Sequence, residues 1–470
     1  MAYRNLRGFL DRLEELGELH RVYPQVDPQL EIAEITDRVS KSRSGNKALL
    51  FESVKGSAFP VVTNIFGSLR RVCLALEIGE LQDLTRRMEG LFSQIPASSV
   101  TATLSSLPDL PEFSRFAPQH ATTGACQEVV EWTPDLALYP VLKNWSGDGR
   151  PDHDGRFITL PLVFTADPDT GDANCGMYRV EVFDGKSAGI HWRTSSGGAG
   201  HYRKYLEKGK RMPIAVAMGG SPAEIYAASV PLPLHMDEMQ LAGFLRREPV
   251  QLVRCLTSGL RVPAEAELVL EGYLEPGERQ RGGAFGNHTG FYAAQQDVPV
   301  MHVTCITRRK GMIFPATVVG RPPMEDCYLA KATERLLLPM LRLDLAEIVD
   351  IDLPLEGIFH GCAMVAMEKR HSGHPREVIE ALWAKGWLSD ARLLVIVDAD
   401  TDVHDLSMIA WKVLNVVDWR QDLVVAAAER ETVPLGRLAL DATRKMTDEG
   451  IVRDRAVTDL VDMRWREYGL

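Results

Sequence analysis

The segment "NCGMYRVEV", Asn174 to Val182, places an amide, a tyrosine and an arginine at the start of an apolar strand. It follows the run "DPDTGD", whose composition is typical of a turn. The planar guanidinium of Arg179 is well suited to binding a carboxylate or a phosphate through paired hydrogen bonds. An arginine in a strand is more often solvated than functional. The segment is therefore a candidate anion site, and its pattern alone leaves the solvated interpretation open.

Two glycine-rich segments, 195–202 ("SSGGAGHY") and 281–292 ("RGGAFGNHTGFY"), could bring the backbone close to a ligand. Neither matches a P-loop or a dinucleotide-binding fingerprint, so tight turns between strands are an equally good interpretation. The acidic run 398–402 begins like a calcium loop, but Val403 and Ile409 stand where that loop needs glycine and glutamate. The histidines lack HxxxH spacing and no GxSxG elbow is present, which disfavours a helical zinc site and a serine hydrolase.

The composition is that of a globular protein: the chain has 470 residues, of which 45% are hydrophobic and 25% charged. A formal net charge of -11, without a basic block interleaved with aromatics, argues against nucleic acid as a partner. Seven scattered cysteines predict reduced thiols and a cytoplasmic location. No apolar run reaches the length of a membrane span.

The elements that must position these residues fall into three stretches. Residues 1–115 alternate helical segments with short apolar strands, which predicts an N-terminal α/β domain. Residues 116–325 contain β-branched strands, "MIFPATVVG" among them, with helices at "SPAEIYAA" and "DEMQLAGFLRR", and predict a β-barrel or sandwich. Residues 326–470 open with a long amphipathic helix and continue as βαβα, which implies a small parallel sheet. The fold class is therefore mixed α/β.

Seven segments, in order along almost the whole chain, closely resemble the UbiD-like decarboxylases. They are "NCGMYR", "HWRTSSGGAGHY", "PLPLHMDEMQLAGFL", "VPAEAELVLEGYLEPGE", "FGNHTGFY", "GRPP" and "LDATRK". The resemblance implies an N-terminal α/β domain, a central split β-barrel of the flavin-reductase type and a C-terminal α/β domain that mediates oligomerisation. A homodimer or homohexamer is the expected assembly.

The resemblance also implies an activity, the reversible, non-oxidative decarboxylation of an aromatic, heteroaromatic or α,β-unsaturated carboxylic acid. Loss of CO2 from such an acid leaves charge in an orbital that no side chain can delocalise, so a cofactor must accept it. In this family the cofactor is prenylated FMN (prFMN), which forms a covalent adduct with the substrate. A flavin prenyltransferase is the expected source of prFMN.

The family's motifs assign roles to residues of this chain, position by position. Arg179 matches the arginine beside the cofactor and the substrate carboxylate. Asn174 and Glu238 match the ligands of a divalent metal, commonly manganese, beside the cofactor phosphate, and potassium is a further candidate ion. The other positions that match cofactor-binding residues are Met177, Tyr178, His191, Trp192, Arg193, Ser196, Gly197 and Lys445. The segment "NCGMYR" would then hold metal, phosphate and substrate within one strand.

Three positions depart from the family pattern. Gly282 and Asn287 stand where the family has two acids, and Ser195 stands where many relatives have a histidine. Because an amide cannot act as a general acid near neutral pH, the proton must come from His288, from water or from the substrate ring. Asn287 could instead hydrogen-bond a heteroatom, and asparagine here resembles the branch acting on pyrrole-2-carboxylate-like acids.

These departures keep two alternatives open. One is a catalytically reduced homologue that binds flavin or an acid without turnover. The other is an FMN-dependent oxidoreductase, which the absence of a dinucleotide fingerprint disfavours.

Overall fold

The computed structural model describes residues 3–95, 107, 110–150, 152–232, 236–358, 361–384, 386–389, 391–426, 436–445, 451 and 453–469. The chain forms two compact units, one of residues 1–346 with 352–362 and one of residues 347–351 with 363–470. Helices and sheets occur in both, so the predicted mixed α/β class is confirmed. The domain boundaries near 115 and 325 stay a prediction.

The strands of the first unit are β1 (Leu19–Val22), β2 (Ala48–Phe51), β3 (Val61–Thr63), β4 (Gln119–Ala121), β5 (Val129–Glu131), β6 (Phe157–Ile158), β7 (Pro161–Ala166), β8 (Ala173–Gly176), β9 (Arg179–Val182), β10 (Ser187–His191), β11 (Met212–Gly219), β12 (Gln251–Arg254), β13 (Arg261–Pro263), β14 (Ala266–Arg281), β15 (Phe285–Gly286), β16 (Tyr292–Ala293), β17 (Asp297–Arg308) and β18 (Phe314–Pro315). Its helices are α1 (Leu6–Glu15), α2 (Glu31–Ser40), α3 (Leu69–Ala75), α4 (Gln82–Phe92), α5 (Pro111–Ser114), α6 (Gly197–Glu207), α7 (Pro222–Ala227), α8 (Glu238–Arg246) and α9 (Glu325–Asp344).

The N-terminal part of this unit is built on a four-stranded sheet in the order β1-β2-β3-β18. Helix α1 buries Leu6, Phe9 and Leu13, whose helical spacing forms one apolar face. Strand β18 pairs in parallel with β3, so that Phe314 lies opposite Val61. The strand in "MIFPATVVG", expected in the central β-barrel or sandwich, therefore pairs with the N-terminal sheet instead. A short apolar run looks the same in sequence whichever sheet it joins, so only the observed strand pairing shows to which sheet it belongs.

The central sheet follows the path β6-β9-β10-β17-β14-β11-β7-β8, with β5 also paired to β17. Strand β8 is the last strand of this path and β9 is the second strand from its other end, although only Met177 and Tyr178 separate them in sequence. Two intervening residues allow at most about 11 Å between the Cα atoms of Gly176 and Arg179. The sheet therefore curves until its two ends approach each other. The expectation that "NCGMYR" forms one strand is wrong, because β8 ends at Gly176 and a different strand, β9, begins at Arg179 near the other end of the sheet.

The interior of the curved sheet is apolar. Val163, Val180, Ile190, Val216 and Leu270 come from five different strands, and all belong to one buried cluster. Burial of such side chains stabilises the fold by roughly 1.5–3 kcal/mol each. The functional candidates on the neighbouring positions are consequently held by a rigid support.

Helices α7 and α8 form where the sequence predicts them. Glu224 accepts a hydrogen bond from the backbone N of Ser221 (2.9 Å), in the predicted capping arrangement. Asp237 caps α8 by accepting from the backbone N–H groups of Met239 and Gln240. Glu238 is thereby fixed as the first residue of α8.

The second unit is a five-stranded sheet with helices. Its strands are β19 (Ile348–Asp352), β20 (Cys362–Met367), β21 (Leu393–Asp398), β22 (Leu423–Ala426) and β23 (Arg437–Asp441), and its helices are α10 (His374–Ala384), α11 (Leu406–Val416) and α12 (Arg455–Arg464). The order is β19-β20-β21-β23-β22. The predicted small parallel sheet is found in part, because β21 and β23 are parallel, whereas β22 pairs antiparallel with β23. Neither β22 nor β23 is predicted from the sequence. Antiparallel neighbours, unlike parallel ones, need no crossover connection.

The seven cysteines, all within the described residues, are unpaired thiols, as the sequence predicts. Among the helices that the structure describes, none combines the length and the apolar character that crossing a bilayer requires.

Candidate functional site

The candidate residues from the first glycine-rich segment and from "NCGMYR" meet at the gap between β8 and β9. Asn174 lies in β8, Tyr178 lies in the short link and Arg179 begins β9. The Asn174 side-chain amide donates to the Tyr178 hydroxyl (3.3 Å), and Gly198 N donates to the same hydroxyl (3.3 Å). The Tyr178 hydroxyl therefore joins the edge of the sheet to the start of α6.

The segment 195–202 is the start of a helix, so its interpretation as a tight turn is wrong. Ser196 is the N-cap of α6, and its Oγ accepts from Ala199 N (3.4 Å). A Cβ on Gly197 would collide with Asn174 Oδ1, and one on Gly198 would lie 3.0 Å from Tyr178 and 3.1 Å from Trp192. Glycine is required here for close approach. The N-terminus of a helix is suited to an anion.

Glu238 lies next to the same edge. Its Oε2 accepts a hydrogen bond from Cys175 N (3.0 Å), which brings the carboxylate beside the residue that follows Asn174. Burial raises the pKa of Glu238 to about 7. A divalent cation would stabilise the ionised form, and a carboxylate with an amide oxygen is a suitable set of hard ligands. The residues present therefore fit a metal beside a phosphate.

Aromatic rings line the space behind Tyr178. The Tyr178 and Trp192 rings meet edge to face at 5.9 Å, and Trp192 lies 5.9 Å from the Tyr202 ring. Met177 is fixed through its backbone N, which donates to Ala228 O (2.8 Å). The surface formed by these residues is apolar and partly exposed, as a flavin ring requires. Arg193 and Ser195 are exposed at the entrance to α6.

Arg179 is held by an aromatic ring and by nearby negative charge. Its guanidinium carbon lies 4.3 Å from the centre of the Phe285 ring. Burial lowers the pKa of Arg179 to about 10, while the charges of Asp148 and Glu181 act in the opposite direction. The guanidinium is still protonated at neutral pH. Asp148 and Glu181 thus supply the carboxylate charge that Gly282 does not.

Two buried carboxylates hold the segment 282–287. Glu181 Oε2 lies 2.9 Å from His191 Nε2 and accepts from Gly283 N (2.9 Å). Asp148 Oδ1 accepts from Gly286 N (2.6 Å) and Oδ2 from Trp145 N (2.9 Å). His191, a predicted flavin-binding residue, therefore directs its Nε2 at Glu181.

Asn287 and His288 lie in the turn between β15 and β16, both partly buried. Asn287 Oδ1 is 3.4 Å from Thr289 N, which is a weak contact that a ligand can replace. His288 Nδ1 lies 3.9 Å from Asp326 Oδ2. The two predicted catalytic positions therefore follow closely on Phe285, the residue in contact with Arg179.

Lys445 lies in the second unit. Its Nζ forms an ion pair with Asp422 (2.7 Å) and a hydrogen bond to Asp441 O (3.3 Å). Its role toward a cofactor phosphate stays a prediction.

Three carboxylates near the site are not found by sequence reasoning. Glu181 has a usable signal, because its i+2 spacing from Arg179 in a strand places both side chains on one face. Asp148 and Asp326 have none, since their burial depends on segments far away in sequence.

A curved sheet whose gap combines a helix N-terminus, hard oxygen ligands and an arginine defines a cofactor-dependent enzyme. Family models for the N-terminal, Rift-related and C-terminal domains of 3-octaprenyl-4-hydroxybenzoate carboxy-lyase match residues 10–89, 119–322 and 327–435. The chain therefore belongs to the UbiD-like, prFMN-dependent decarboxylase family, whose members are carboxy-lyases.

Individual relatives agree with this membership. A protein of Archaeoglobus fulgidus is 44% identical over 473 residues, which cover 98% of this chain and 96% of the relative. An evolved dimeric form of the UbiD-class enzyme HmfF from Pelotomaculum thermopropionicum, in complex with prFMN, is 26% identical with a TM-score of 0.79, covering 97% of this chain and 98% of that one. The closed form of vanillic acid decarboxylase from Sedimentibacter hydroxybenzoicus, 24% identical, shares the fold with a TM-score of 0.87, covering 100% and 99%.

Proposed function

We propose that this protein catalyses the reversible, non-oxidative decarboxylation of an aromatic, heteroaromatic or α,β-unsaturated carboxylic acid, with prFMN bound at the gap between β8 and β9. The observation that carries the proposal is the position of Arg179 at this gap, with its charge balanced by two buried carboxylates. A similar UbiD-class enzyme binds prFMN, which supports the choice of cofactor.

The cofactor phosphate fits the N-terminus of α6, with Asn174 and Glu238 as ligands of a divalent metal, manganese being our proposal, and potassium as a second ion. Trp192, Tyr178 and Met177 would contact the ring system. When bound, prFMN supplies the electron sink that the loss of CO2 requires. The split-barrel description of the curved sheet, of the flavin-reductase type, is part of this proposal.

The chain's own residues orient the acid and exclude water. Arg179 binds the substrate carboxylate, and Phe285 limits the rotation of the guanidinium and covers one of its faces. Asn287 is suited to a heteroatom of the ring, so a heteroaromatic acid is the favoured substrate class. The proton comes from a group other than Asn287, because an amide does not titrate near neutral pH.

The test begins with protein co-expressed with a flavin prenyltransferase, the proposed cofactor source. Mass and absorbance of the ligand released on denaturation identify prFMN, and a panel of heteroaromatic, aromatic and unsaturated acids is then assayed for CO2 release. We expect Arg179→Ala to abolish turnover and to keep the fold. Arg211→Ala is the matched control, since Arg211 also lies over an aromatic ring (Tyr273, 4.5 Å) and is exposed. Wild-type rates in Arg179→Ala would contradict the proposal.

A second candidate is a homologue that binds the cofactor or an acid without turnover. It is favoured by one observation, the absence of both acids at Gly282 and Asn287. Such a protein would release prFMN on denaturation but would exchange no labelled CO2 into any acid. The alternative of an FMN-dependent oxidoreductase is tested separately, because such an enzyme would reduce its flavin with NAD(P)H. Assembly as a homodimer or homohexamer and a cytoplasmic location are proposals that accompany the family.

A further inference from the structure

We propose that His288 delivers the proton to the substrate carbon and that Asp326 is the positioning residue that orients His288. This inference rests on the proposed decarboxylation and names the proton source that Asn287 cannot provide. It assigns the positioning role to Asp326, a residue far from His288 in sequence.

The geometry of Asp326 is unusual for a carboxylate in the first turn of a helix. Asp326 is the second residue of α9, and its Oδ1 accepts from Cys327 N (2.9 Å). Its Oδ2 is buried and makes no hydrogen bond within the part of the chain that the structure describes. That oxygen lies 3.9 Å from His288 Nδ1. Since leaving a buried acceptor unsatisfied is unfavourable, the His288 ring is the natural donor to it.

The separation of 3.9 Å is longer than a hydrogen bond and within ion-pair range. Contacts of catalytic groups are often long in a free enzyme and shorten when the substrate is bound. His288 keeps about a quarter of its side chain exposed. With Nδ1 directed at Asp326, the second ring nitrogen, Nε2, is the atom that transfers the proton.

The groups around Asp326 determine the charge that faces His288. Glu325 is adjacent and buried, with Oε1 accepting from Phe66 N (2.9 Å), and the Cys327 thiol lies 3.5 Å from Asp326 Oδ1. The pKa of Asp326 is raised to about 6, mainly by burial and to a smaller extent by the charge of Glu325. Arg321 packs against the same turn, with Cγ 3.0 Å from the position of a Cβ on Gly290. With a pKa of about 6, the Asp326 carboxyl is mostly ionised at neutral pH and presents a negative charge to the His288 ring.

The proton step balances as follows. The bond between the substrate ring and its carboxylate breaks and CO2 leaves. The electron pair of that bond, for which bound prFMN would be the sink, ends in the new C–H bond at the ring carbon. The Nε2–H bond of the His288 imidazolium breaks and a C–H bond forms, so the neutral imidazole must recover a proton from water. Asp326 stays ionised throughout and keeps the ring oriented.

The first experiment does not depend on turnover. Exchange of the histidine C2 hydrogen, followed site by site by mass spectrometry across pH, gives the pKa of His288 in the intact protein. We expect Asp326→Asn to lower that pKa by about one unit, because an opposite charge at 4–6 Å is removed. Glu278→Gln is the matched control: it removes a carboxylate that lies 2.6 Å from the Nε2 of another histidine, His302, and should leave the exchange profile of His288 unchanged. An unchanged His288 pKa in Asp326→Asn would overturn the pairing.

The second experiment uses prFMN-loaded enzyme and an acid that it turns over. We expect His288→Gln to lower kcat by at least about a hundredfold, within the range for loss of a general acid. Asp326→Asn should lower kcat about tenfold with little change in KM and shift the alkaline limb of the pH profile to lower pH, and Asp326→Glu should recover most of the rate. A normal profile in Asp326→Asn contradicts the inference. If no acid is turned over, the proposed function fails, while the exchange experiment still decides whether the pair exists.

Discussion

The guanidinium carbon of Arg179 lies 4.3 Å from the centre of the Phe285 ring, so the first residue of β9 is in contact with the first residue of β15. This contact connects the edge of the curved sheet to the turn that carries Asn287 and His288. A desolvated cation–π contact stabilises by about 2 kcal/mol. The arginine and the turn that carries the proposed catalytic residues are therefore positioned as one group.

We expect Phe285→Leu to lower kcat/KM by about tenfold, because the guanidinium loses the ring that limits its orientation. A loss of roughly 1 kcal/mol of unfolding free energy should accompany it, since Phe285 is buried. Steady-state kinetics and thermal denaturation measure the two effects. Phe291→Leu, at an exposed ring in the same hairpin, should change neither. Equal effects of the two substitutions would argue against a specific role of the Arg179 contact.

The start of α6 gives a matched pair of glycine substitutions. In Gly197→Ala, the new Cβ collides with Asn174 Oδ1, so we expect flavin and metal content per chain to fall at least about fivefold. In Gly200→Ala, the nearest heavy atom is Arg203 Nη2 at 3.9 Å, so binding should be unchanged and the helix slightly more stable. Absorbance of the bound flavin and elemental analysis measure the outcome. Full cofactor content in Gly197→Ala would remove this segment from the binding site.

Asp148 predicts a pH-dependent contribution to stability. Burial raises the pKa of Asp148 from the ordinary 3.8 to about 6. Between pH 3.8 and about pH 6, the folded state therefore keeps a proton that the unfolded state has released. Its contribution is therefore fully present below about pH 4 and is lost as the pH rises through 6, by about 3 kcal/mol in total.

The measurement is the free energy of unfolding of the wild type and of Asp148→Asn from pH 4 to pH 8. The stability of the wild type relative to the variant should decline between pH 4 and 6 and then stay constant. If the relative stability rises over this interval instead, the backbone N–H groups that donate to the Asp148 carboxylate affect its pKa more strongly than burial does.

The missing acid cannot simply be restored at position 282. A Cβ there would lie 2.8 Å from His191 Cε1 and 3.1 Å from Gln296 O. We expect Gly282→Glu to destabilise the fold by roughly 1–3 kcal/mol and to leave the decarboxylation rate unimproved. Gly259→Glu, at an exposed glycine with no heavy atom within 4 Å, is the control for added charge. A faster enzyme from Gly282→Glu would show that His191 and Glu181 rearrange.

Sequence patterns predict the local parts of this architecture well. The start of α7 is predicted from the Ser221-Pro222 cap. Arg179 is recognised as a candidate because a guanidinium is suited to binding a carboxylate or a phosphate. The separation of β8 from β9 is missed, because a period-two pattern continues unchanged when a chain passes from one sheet edge to the other.

The carboxylates of the site illustrate the other limit of sequence reasoning. Asp148 acquires its role from Gly286, 138 positions away, and Asp326 from His288. Such partners are brought together only by the tertiary fold. A single aspartate carries no mark in the sequence that distinguishes a buried acceptor from a solvated one.

The gap between β8 and β9 has a mechanical consequence. Strands β8 and β9 are joined covalently by two residues, but their separation is set by the curvature of the strands in the middle of the sheet. The pairing of β14 with β17 shifts register at Glu271/Gly272 and again at Leu274/Arg279, and such bulges bend a sheet. A Cβ on Gly272 would collide with the His302 carbonyl oxygen. Substitutions at this remote position would therefore widen or narrow the cofactor pocket without touching it, and a search for variants with altered substrate size should include it.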